Sequence, residues 1–494
     1  MSIATKTRQT ACDDTSEIEL KLEIELAAMD AFRANAVLAG TAFKDVEQLS
    51  TYFDTPQHDL RKAKISLRVR KIGERHVQTV KVSGSAAAGL FARPEWERDI
   101  AGPLPELDAE SPIRTLVGAD ILARIVPAFT VTVTRRQWLI EQDGGTVELV
   151  ADTGFVAVGE RTTAISEIEL ELKSGPPTAI FSLARLLDRD VALRLGVLTK
   201  AERGYRLMEA AILGAEKAER LELASDATVA EAFERIVGAC LRHFRLNETL
   251  LRREPGPEPL HQARVALRRL RSALSIFKPV VADARFVHLA SDLKWLAGTL
   301  GTARDLDVML ARLAHPDARL IAAHAEAYAD ALAALDSKRT RDLMIDIVEW
   351  TALGAWRVHP ADPGEVQQPA IRFTGDVLES LRRRIKRRGD GLVGLEDDAR
   401  HRARIAAKKL RYATGFFETL YPGKKAHRRF KAFVKPLEAL QEQLGLLNDI
   451  ATAPALLARF DLDDGERISL EDREKILARA ADAYGRLKDA KRFW

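Results

Sequence analysis

The sequence predicts an α+β chain in which a β-rich first part is followed by an all-helical second part. Three observations predict it. From Glu17 to about Gly214 apolar residues recur mostly at every second position, the period of a strand with one buried face. Beyond residue 215 they recur at three and four, the period of a helix, and Ala, Leu, Arg and Glu dominate. The helical part also repeats itself, which implies two like halves. A chain of 494 residues is long enough for two or three domains, in keeping with that division.

The first strand is EIELKLEIEL, residues 17–26. It sets Glu17, Glu19, Lys21, Glu23 and Glu25 on one side and Ile18, Leu20, Leu22, Ile24 and Leu26 on the other. Four carboxylates and one ammonium on a single face repel one another unless a cation sits among them or water dissolves them. Later stretches repeat the arrangement. SLRVR (66–70) aligns Arg68 with Arg70, HVQTVKV (76–82) aligns Thr79 with Lys81, and RPEWERDI (93–100) aligns Arg93, Glu95, Glu97 and Asp99. AISEIELELKSG (164–175) aligns Glu167, Glu169, Glu171 and Lys173.

One such strand reads as a solvated sheet face whose charges block edge pairing. Five in one domain predict a shared interior. Closed into a barrel they enclose a polar tunnel, with carboxylates from the first and last strands and Arg and Lys from the middle ones. The two charge sets match a composite ligand, a polyphosphate chelated to a divalent cation: carboxylates take Mg²⁺ or Mn²⁺, and Arg and Lys take phosphate oxygens. The plainer alternative is cross-strand ion pairing without catalysis, for which burying so many charges brings little net gain.

The ExExK motif of Glu17, Glu19 and Lys21 is followed by TYFDTP (51–56), SLRVR, the R-x-E-x-E of Arg93, Glu95 and Glu97, ELVADTG with Asp152, EIELELKSG and TKAERGYRL (199–207). This ordered set resembles the CYTH domain, the triphosphate tunnel metalloenzyme family, over roughly residues 15–212. The resemblance implies an antiparallel eight-stranded β-tunnel with helices packed outside, acting on triphosphate-containing substrates with Mg²⁺ or Mn²⁺. It implies metal ligands at Glu17, Glu19, Glu167 and Glu169, with Asp152 and Glu171 as further candidates. Phosphate contacts fall on Lys21, Arg68, Arg70, Lys81, Arg93, Arg135 and Lys200, and the catalytic set is Glu17, Glu19, Lys21, Arg68 and Arg70. Arg136, Glu148 and Arg203 stay open between a second layer of the site and the outer face.

The period changes within AAILGAEKAERLELASDAT, so the boundary falls between about 212 and 226, with Ser225 or Asp226 as candidate helix cap. LHQARVALRRLRSALSIF (260–277) matches ARHRARIAAKKLRYATGFF (399–417). His261 corresponds to His401, Arg264 to Arg404, Arg268 to Lys408, Arg269 to Lys409, Arg271 to Arg411 and Phe277 to Phe417. LKWLAGTLGTARDLD (293–307) echoes LEALQEQLGLLNDIA (437–451), pairing Gly301 with Gly445 and Asp305 with Asp449, and HPADPGEVQQP (359–369) joins the halves. On a helical wheel Ala263, Leu267, Leu270, Leu274 and Phe277 share one arc, and His261, Arg264, Arg268 and Arg271 share another. A basic face on one helix is ordinarily a solvated surface. Recurring at the same phase in both halves it predicts a shared polyanion, which relieves a repulsion of a few tenths of a kcal/mol per stacked pair.

These repeats resemble the CHAD domain, a helical domain of two four-helix bundles associated with inorganic polyphosphate, over about residues 220–494, with repeats at about 220–358 and 369–494. The resemblance places long-chain polyphosphate on His261, Arg264, Arg268, Arg269, Arg271, His401, Arg404, Lys408, Lys409 and Arg411. Metal binding by His261 and His401 is the weaker reading, because no second His or Cys lies at i+3 or i+4 of either.

A net charge of +4 and 6% aromatic residues argue against a nucleic-acid binder that stacks bases, and no phosphate-binding glycine loop, H-E-x-x-H or C-x-x-C motif is present. Two distant cysteines, Cys12 and Cys240, and no run of about 18 apolar residues point to a reducing, cytoplasmic setting away from membranes, with association with polyphosphate granules a further expectation. Nothing in the pattern specifies an oligomeric state. The expected activity is metal-dependent hydrolysis of tripolyphosphate. The alternatives are adenylate cyclase or thiamine triphosphatase chemistry in the same tunnel, or a non-catalytic polyphosphate scaffold.

Overall fold

The structure is a computed structural model that describes residues 17–82, 85–87, 89–93, 95–108, 112–209, 214–311, 313, 315–459 and 470–494. The chain divides into two compact units, residues 1–212 and 213–494.

The first unit is built on one antiparallel sheet. Its strands are β1 (Glu17–Glu23), β2 (Phe43–Asp54), β3 (Ile65–Ile72), β4 (Arg75–Val82), β5 (Ser85–Ala87), β6 (Leu90–Arg93), β7 (Glu95–Ile100), β8 (Val126–Gln142), β9 (Gly145–Val158), β10 (Arg161–Ser174) and β11 (Arg194–Leu195). Their order is β5-β6-β1-β10-β9-β8-β2-β3-β4-β7, with β11 on β1. β6 pairs with β1 while β7, one residue further on, pairs with β4. The path therefore closes on itself. Counting β6 and β7 as one position, eight strand positions surround the interior, and the expected eight-stranded tunnel is the fold observed.

Register decides which side chains share that interior, because directly opposed residues point to the same face. Lys21 lies opposite Glu169, Glu23 opposite Glu167, Glu167 opposite Asp152, and Asp152 opposite Arg135. Across the ring, Tyr52 lies opposite Arg68, Arg68 opposite Thr79, and Thr79 opposite Glu97. Helix α1 (Thr178–Leu187) packs its buried Ile180, Phe181, Leu183 and Leu187 on β8, β9 and β10.

Helix α2 (Lys200–Met208) contributes Tyr205 and Leu207 to an apolar cluster with Tyr52, Phe129, Val131, Val133, Val156 and Ile165. Three local features fix it. Thr199 and Glu202 form a reciprocal capping box at its start. Gly204 lets it press on Phe129, since a Cβ there would meet the ring at 2.2 Å. Tyr205 donates its hydroxyl to Asp54 Oδ2 at 2.7 Å. Asp54 is fully buried and also accepts the backbone N–H groups of Thr55, Leu60 and Arg61 at 2.7, 2.8 and 3.1 Å.

The second unit is helical. Its long helices are α3 (Val229–Arg253), α4 (Pro257–Val281), α5 (Phe286–Leu310), α6 (Ala318–Asp336), α7 (Lys338–Leu353), α8 (Ala370–Arg388), α9 (Asp397–Phe417), α10 (Lys424–Ala458) and α11 (Leu470–Asp489). α3 to α6 pack in succession in one half and α8 to α11 in the other. α7 is an addition to the first half that the repeat did not announce; it packs on α3, α5 and α6, burying Leu343, Ile347 and Trp350. The first helix is capped by Thr228, not by Ser225 or Asp226, because Glu231 stands three residues after Thr228 and completes a capping box. The two halves begin side by side: Val229 N–H donates to Gln368 O at 3.0 Å and Ala370 N–H to Ala227 O at 2.8 Å. They also meet through α4 and α9, the two helices that carry the repeated basic motif.

Gly204→Ala is expected to destabilise the first unit by about 1–3 kcal/mol, since neither the helix nor Phe129 has room to yield. The urea midpoint of the purified variant checks this.

Candidate active site

The acidic wall of the tunnel is formed by β1, β9 and β10. Asp152 and Glu167 are fully buried, and Glu169 is partly so. Burying carboxylates costs several kcal/mol each unless cations reach them. Lys200 Nζ, from α2, lies 2.7 Å from Asp152 Oδ2, 2.5 Å from Glu167 Oε1 and 2.9 Å from Glu169 Oε1. Lys21 Nζ lies 3.1 Å from Glu167 Oε1 and 3.5 Å from Glu19 Oε1, and it also pairs with Glu169. Arg135 takes Asp152 in a two-pronged grip at 2.8 and 2.6 Å and reaches Glu169 Oε2 at 2.9 Å. Burial alone would favour the protonated acids. Lys200 is the largest opposing influence on all three, and they are held below the usual carboxylate range.

The opposite wall is cationic. Arg68 is buried, 3.8 Å from both Glu95 and Glu97, and Lys81 pairs with Glu95. Burial disfavours the charged Tyr52 phenolate, yet Arg68, Lys200 and Arg70 together bring the phenol below its ordinary value. Arg70 makes no ion pair among the described residues, and its Nε has no hydrogen-bond partner. Burial, then Arg68 and Arg135, push its guanidinium down to about 9, still charged at neutral pH. Around the ring, β3 with Arg68 and Arg70 stands four positions from β10 with Glu167 and Glu169, so the two charge sets face each other.

In the helical unit the basic files of α4 and α9 come together. Arg264, Arg268, Arg404 and Lys408 influence one another's charge around Asp305 and Asp449. Arg264 donates to Leu300 O at 3.1 Å and to Gly301 O, where the absent side chain leaves it room, and lies 3.5 Å from Asp305. Arg268 donates to Tyr412 of the other half at 3.3 Å. Burial, then Arg404 and Arg268, push the Lys408 ammonium down to about 7.

Residues 15–205 match the CYTH domain family and residues 235–458 match the CHAD domain family. The chain carries a CYTH domain followed by a CHAD domain. It is 32% identical over 200 residues to the inorganic triphosphatase of Haemophilus influenzae, across 39% of this chain and 54% of that protein. It is 27% identical over 319 residues to an uncharacterized protein of Mycobacterium tuberculosis, across 59% of this chain and 58% of that one. The chain thus spans a little over half the length of these curated relatives. The crystal structure of the CHAD domain from the plant Ricinus communis is 30% identical over 56% of this chain and 93% of that one, with a TM-score of 0.44.

The CYTH tunnel gathers Glu19, Lys21, Asp152, Glu167, Glu169, Arg135 and Lys200 on one wall and Arg68, Arg70 and Lys81 on the other. Glu171 stands apart from the carboxylate trio, paired with Lys173 at 2.6 Å beside Glu148. Backbones of Glu17 and Arg93 are opposed in register, and their side chains lie outside the described residues. Arg203 belongs inside: it bonds Glu23 at 2.7 Å and lies 3.7 Å from Glu167. Arg136 points outward, gripping Asp45 at 2.6 Å over the Phe43 ring. Tyr52 was missed, because an aromatic in TYFDTP reads as core until its hydroxyl is seen beside Arg68.

In the CHAD unit the ten expected contacts separate. Lys409 turns to Ser275 Oγ at 2.6 Å, Arg269 covers the Phe416 ring, Arg411 donates to Gln441 at 2.7 Å, and Arg271 is exposed. His401 bonds Asn448 at 2.5 Å, whereas burial and Arg304 hold His261 toward its neutral form.

A divalent metal fits the donor set. Ligand oxygens of Asp152, Glu167 and Glu169 lie within 4.8 Å of one another, all are hard oxygen donors, and the buried Glu167 Oε2 has no hydrogen-bond partner among the described residues.

Because Asp152, Glu167 and Glu169 titrate below their unfolded values, they stabilise the fold at neutral pH, and that contribution disappears as pH falls from about 4 through the lower folded values. Denaturant melts are expected to give a stability that declines steeply below about pH 4, with a shallower decline in Asp152→Asn. An unchanged slope in that variant would count against these groups as the source.

Proposed function

We propose that the CYTH tunnel hydrolyses inorganic tripolyphosphate to pyrophosphate and phosphate with Mg²⁺ or Mn²⁺, and that the CHAD unit binds long-chain polyphosphate. The observation that carries the first part is the facing of Asp152, Glu167 and Glu169 by Arg68 and Arg70, the latter without an ion pair among the described residues. Partial similarity to an inorganic triphosphatase supports it. Asp152, Glu167 and Glu169, with Glu19 beside them, would hold the metal, which when bound supplies a Lewis acid toward phosphate oxygens.

This chain's cations do the rest. Arg70, whose Nε has no partner among the described residues, can donate to a phosphoryl group, and Arg68 lies between Glu95 and Glu97 at distances long enough to release it to a stronger acceptor. Lys21 and Lys81 bracket the chain of phosphates along the tunnel. Held in a buried, pre-arranged cage, such donors stabilise charge that develops on the transferred group without reorganising.

Orthophosphate release from tripolyphosphate, ATP and thiamine triphosphate, each with Mg²⁺ or Mn²⁺, tests the reading. Selective release from tripolyphosphate is expected. Arg70→Ala and Glu169→Gln should each lose about two decades of turnover, the equivalent of about 3 kcal/mol of barrier. Absence of release from every substrate would leave a binding protein. Cyclic AMP from ATP would make it a cyclase.

For the CHAD unit, Lys408 is half-charged near pH 7 when alone and fully charged when a polyanion lies against it. Calorimetry in two buffers of different ionisation enthalpy is expected to show proton uptake on polyphosphate binding, with affinity falling as pH rises above about 7. Lys408→Met should remove most of the uptake; uptake undiminished in that variant would exclude Lys408 as its source.

A further inference from the structure

Lys200 stands where a cation is wanted. Its ammonium contacts all three members of the carboxylate trio at 2.7, 2.5 and 2.9 Å, and those oxygens span no more than 4.8 Å. A metal ion bonded to the same oxygens at about 2.0–2.2 Å has to occupy nearly the same point. Two positive centres cannot share it. We infer that the Lys200 ammonium is a resident counter-ion that competes with the metal for Asp152, Glu167 and Glu169, and that metal loading sends it across the tunnel to the phosphate chain. This rests on the metal-dependent reading proposed above and adds the order of events to it.

The displacement is confined to the side chain. The capping box at Thr199, the contact of Gly204 with Phe129 and the Tyr205 bond to buried Asp54 hold the backbone of α2 in place. Four methylene groups remain free to turn. The ammonium already influences Tyr52, which lies beside Arg68 on the phosphate-facing wall, so the turn ends among the groups assigned to substrate. Without triphosphate, the departing ammonium finds there only Glu95 and Glu97, already engaged by Arg68 and Lys81, and returns to the trio. With triphosphate it finds one, and the trio is left with unneutralised negative charge. Metal and substrate therefore load cooperatively, each removing the obstacle to the other.

Manganese binding, read directly from the loss of the free-ion electron paramagnetic resonance signal, tests this without turnover. Wild type, Lys200→Met and Arg203→Met are titrated with Mn²⁺ alone and again with non-hydrolysable imidotriphosphate. Arg203 is the control for charge: it lies 3.7 Å from Glu167 on the same helix but touches neither Asp152 nor Glu169. Lys200→Met is expected to bind Mn²⁺ alone at least about tenfold tighter than wild type, Arg203→Met only about twofold tighter, and imidotriphosphate to strengthen Mn²⁺ binding in wild type but hardly in Lys200→Met. Lys200→Gln, which keeps polar contacts to the trio, is read in the same way where Lys200→Met fails to fold. Equal or weaker Mn²⁺ binding in the Lys200 variant overturns the inference while leaving the metal site standing, as does an equal gain in Arg203→Met. No Mn²⁺ binding in any protein, with or without imidotriphosphate, removes the metal reading and the inference together.

Discussion

The interior of the tunnel depends on one interaction, the reach of Lys200 into three buried carboxylates. β1, β9 and β10 bring Glu19, Glu23, Asp152, Glu167 and Glu169 to one wall, and the strands return Lys21 and Arg135 to that wall as close partners of the trio. Lys200 and Arg203 bring two more cations from α2, four against five carboxylates. A buried charge left without its partner costs about 3–5 kcal/mol, a large part of the stability of an ordinary domain. The barrel is therefore not independent of the helix at its end. Asp54 illustrates the dependence: a carboxylate that caps a short turn and receives Tyr205 ties β2 to the helix that neutralises β10.

The same accounting fails on the other wall, and the failure is informative. Arg70 is half-buried, its Nε has no hydrogen-bond partner among the described residues, and Arg68 and Arg135 push against its charge. A purely structural interior would have paired it or replaced it with an apolar residue, since buried ion pairs contribute little over packed hydrophobic side chains. Nearly balanced on one side and cationic on the other, the tunnel is complementary to a metal-chelated anion more strongly than to water.

Much of this was legible in the sequence, for a physical reason. Period two fixes which residues share a face, so Glu167 with Glu169, Arg68 with Arg70 and Glu19 with Lys21 could be grouped before any strand was paired. Pairing across the ring could not be read, because it depends on contacts 100 or more residues apart, such as Lys21 with Glu169 or Asp54 with Tyr205. Arg203 stays ambiguous, since a helix of nine residues shows which face is buried only once its neighbours are in place. Thr228 was passed over because Ser225 and Asp226 are equally good caps by type, and only Glu231 at the third position distinguishes them. In the helical unit the wheel groups His261, Arg264, Arg268 and Arg271 on one arc, whereas the packing of α4 and α9 gathers Arg264, Arg268, Arg404 and Lys408 and gives Arg269, Lys409 and Arg411 other partners. Periodicity describes a face and says nothing of how two faces cross.

The two units meet one electrostatic problem with opposite solutions. In the CYTH tunnel cations and anions are nearly matched, and the matching cations are long, flexible side chains that can be exchanged for others. In the CHAD unit four cations are gathered around two aspartates, Asp305 and Asp449, and the excess is borne by Lys408, whose proton is held only weakly at neutral pH. A matched but exchangeable site suits chemistry, because charge has to be rearranged in the course of a reaction and a preformed counter-charge keeps the resting state stable. An unmatched site suits retention, because the ligand itself supplies the missing charge and the repulsion relieved on binding adds to its affinity. The distribution of counter-charge thus separates the catalytic role proposed for one unit from the binding role proposed for the other, on the same class of polyanion.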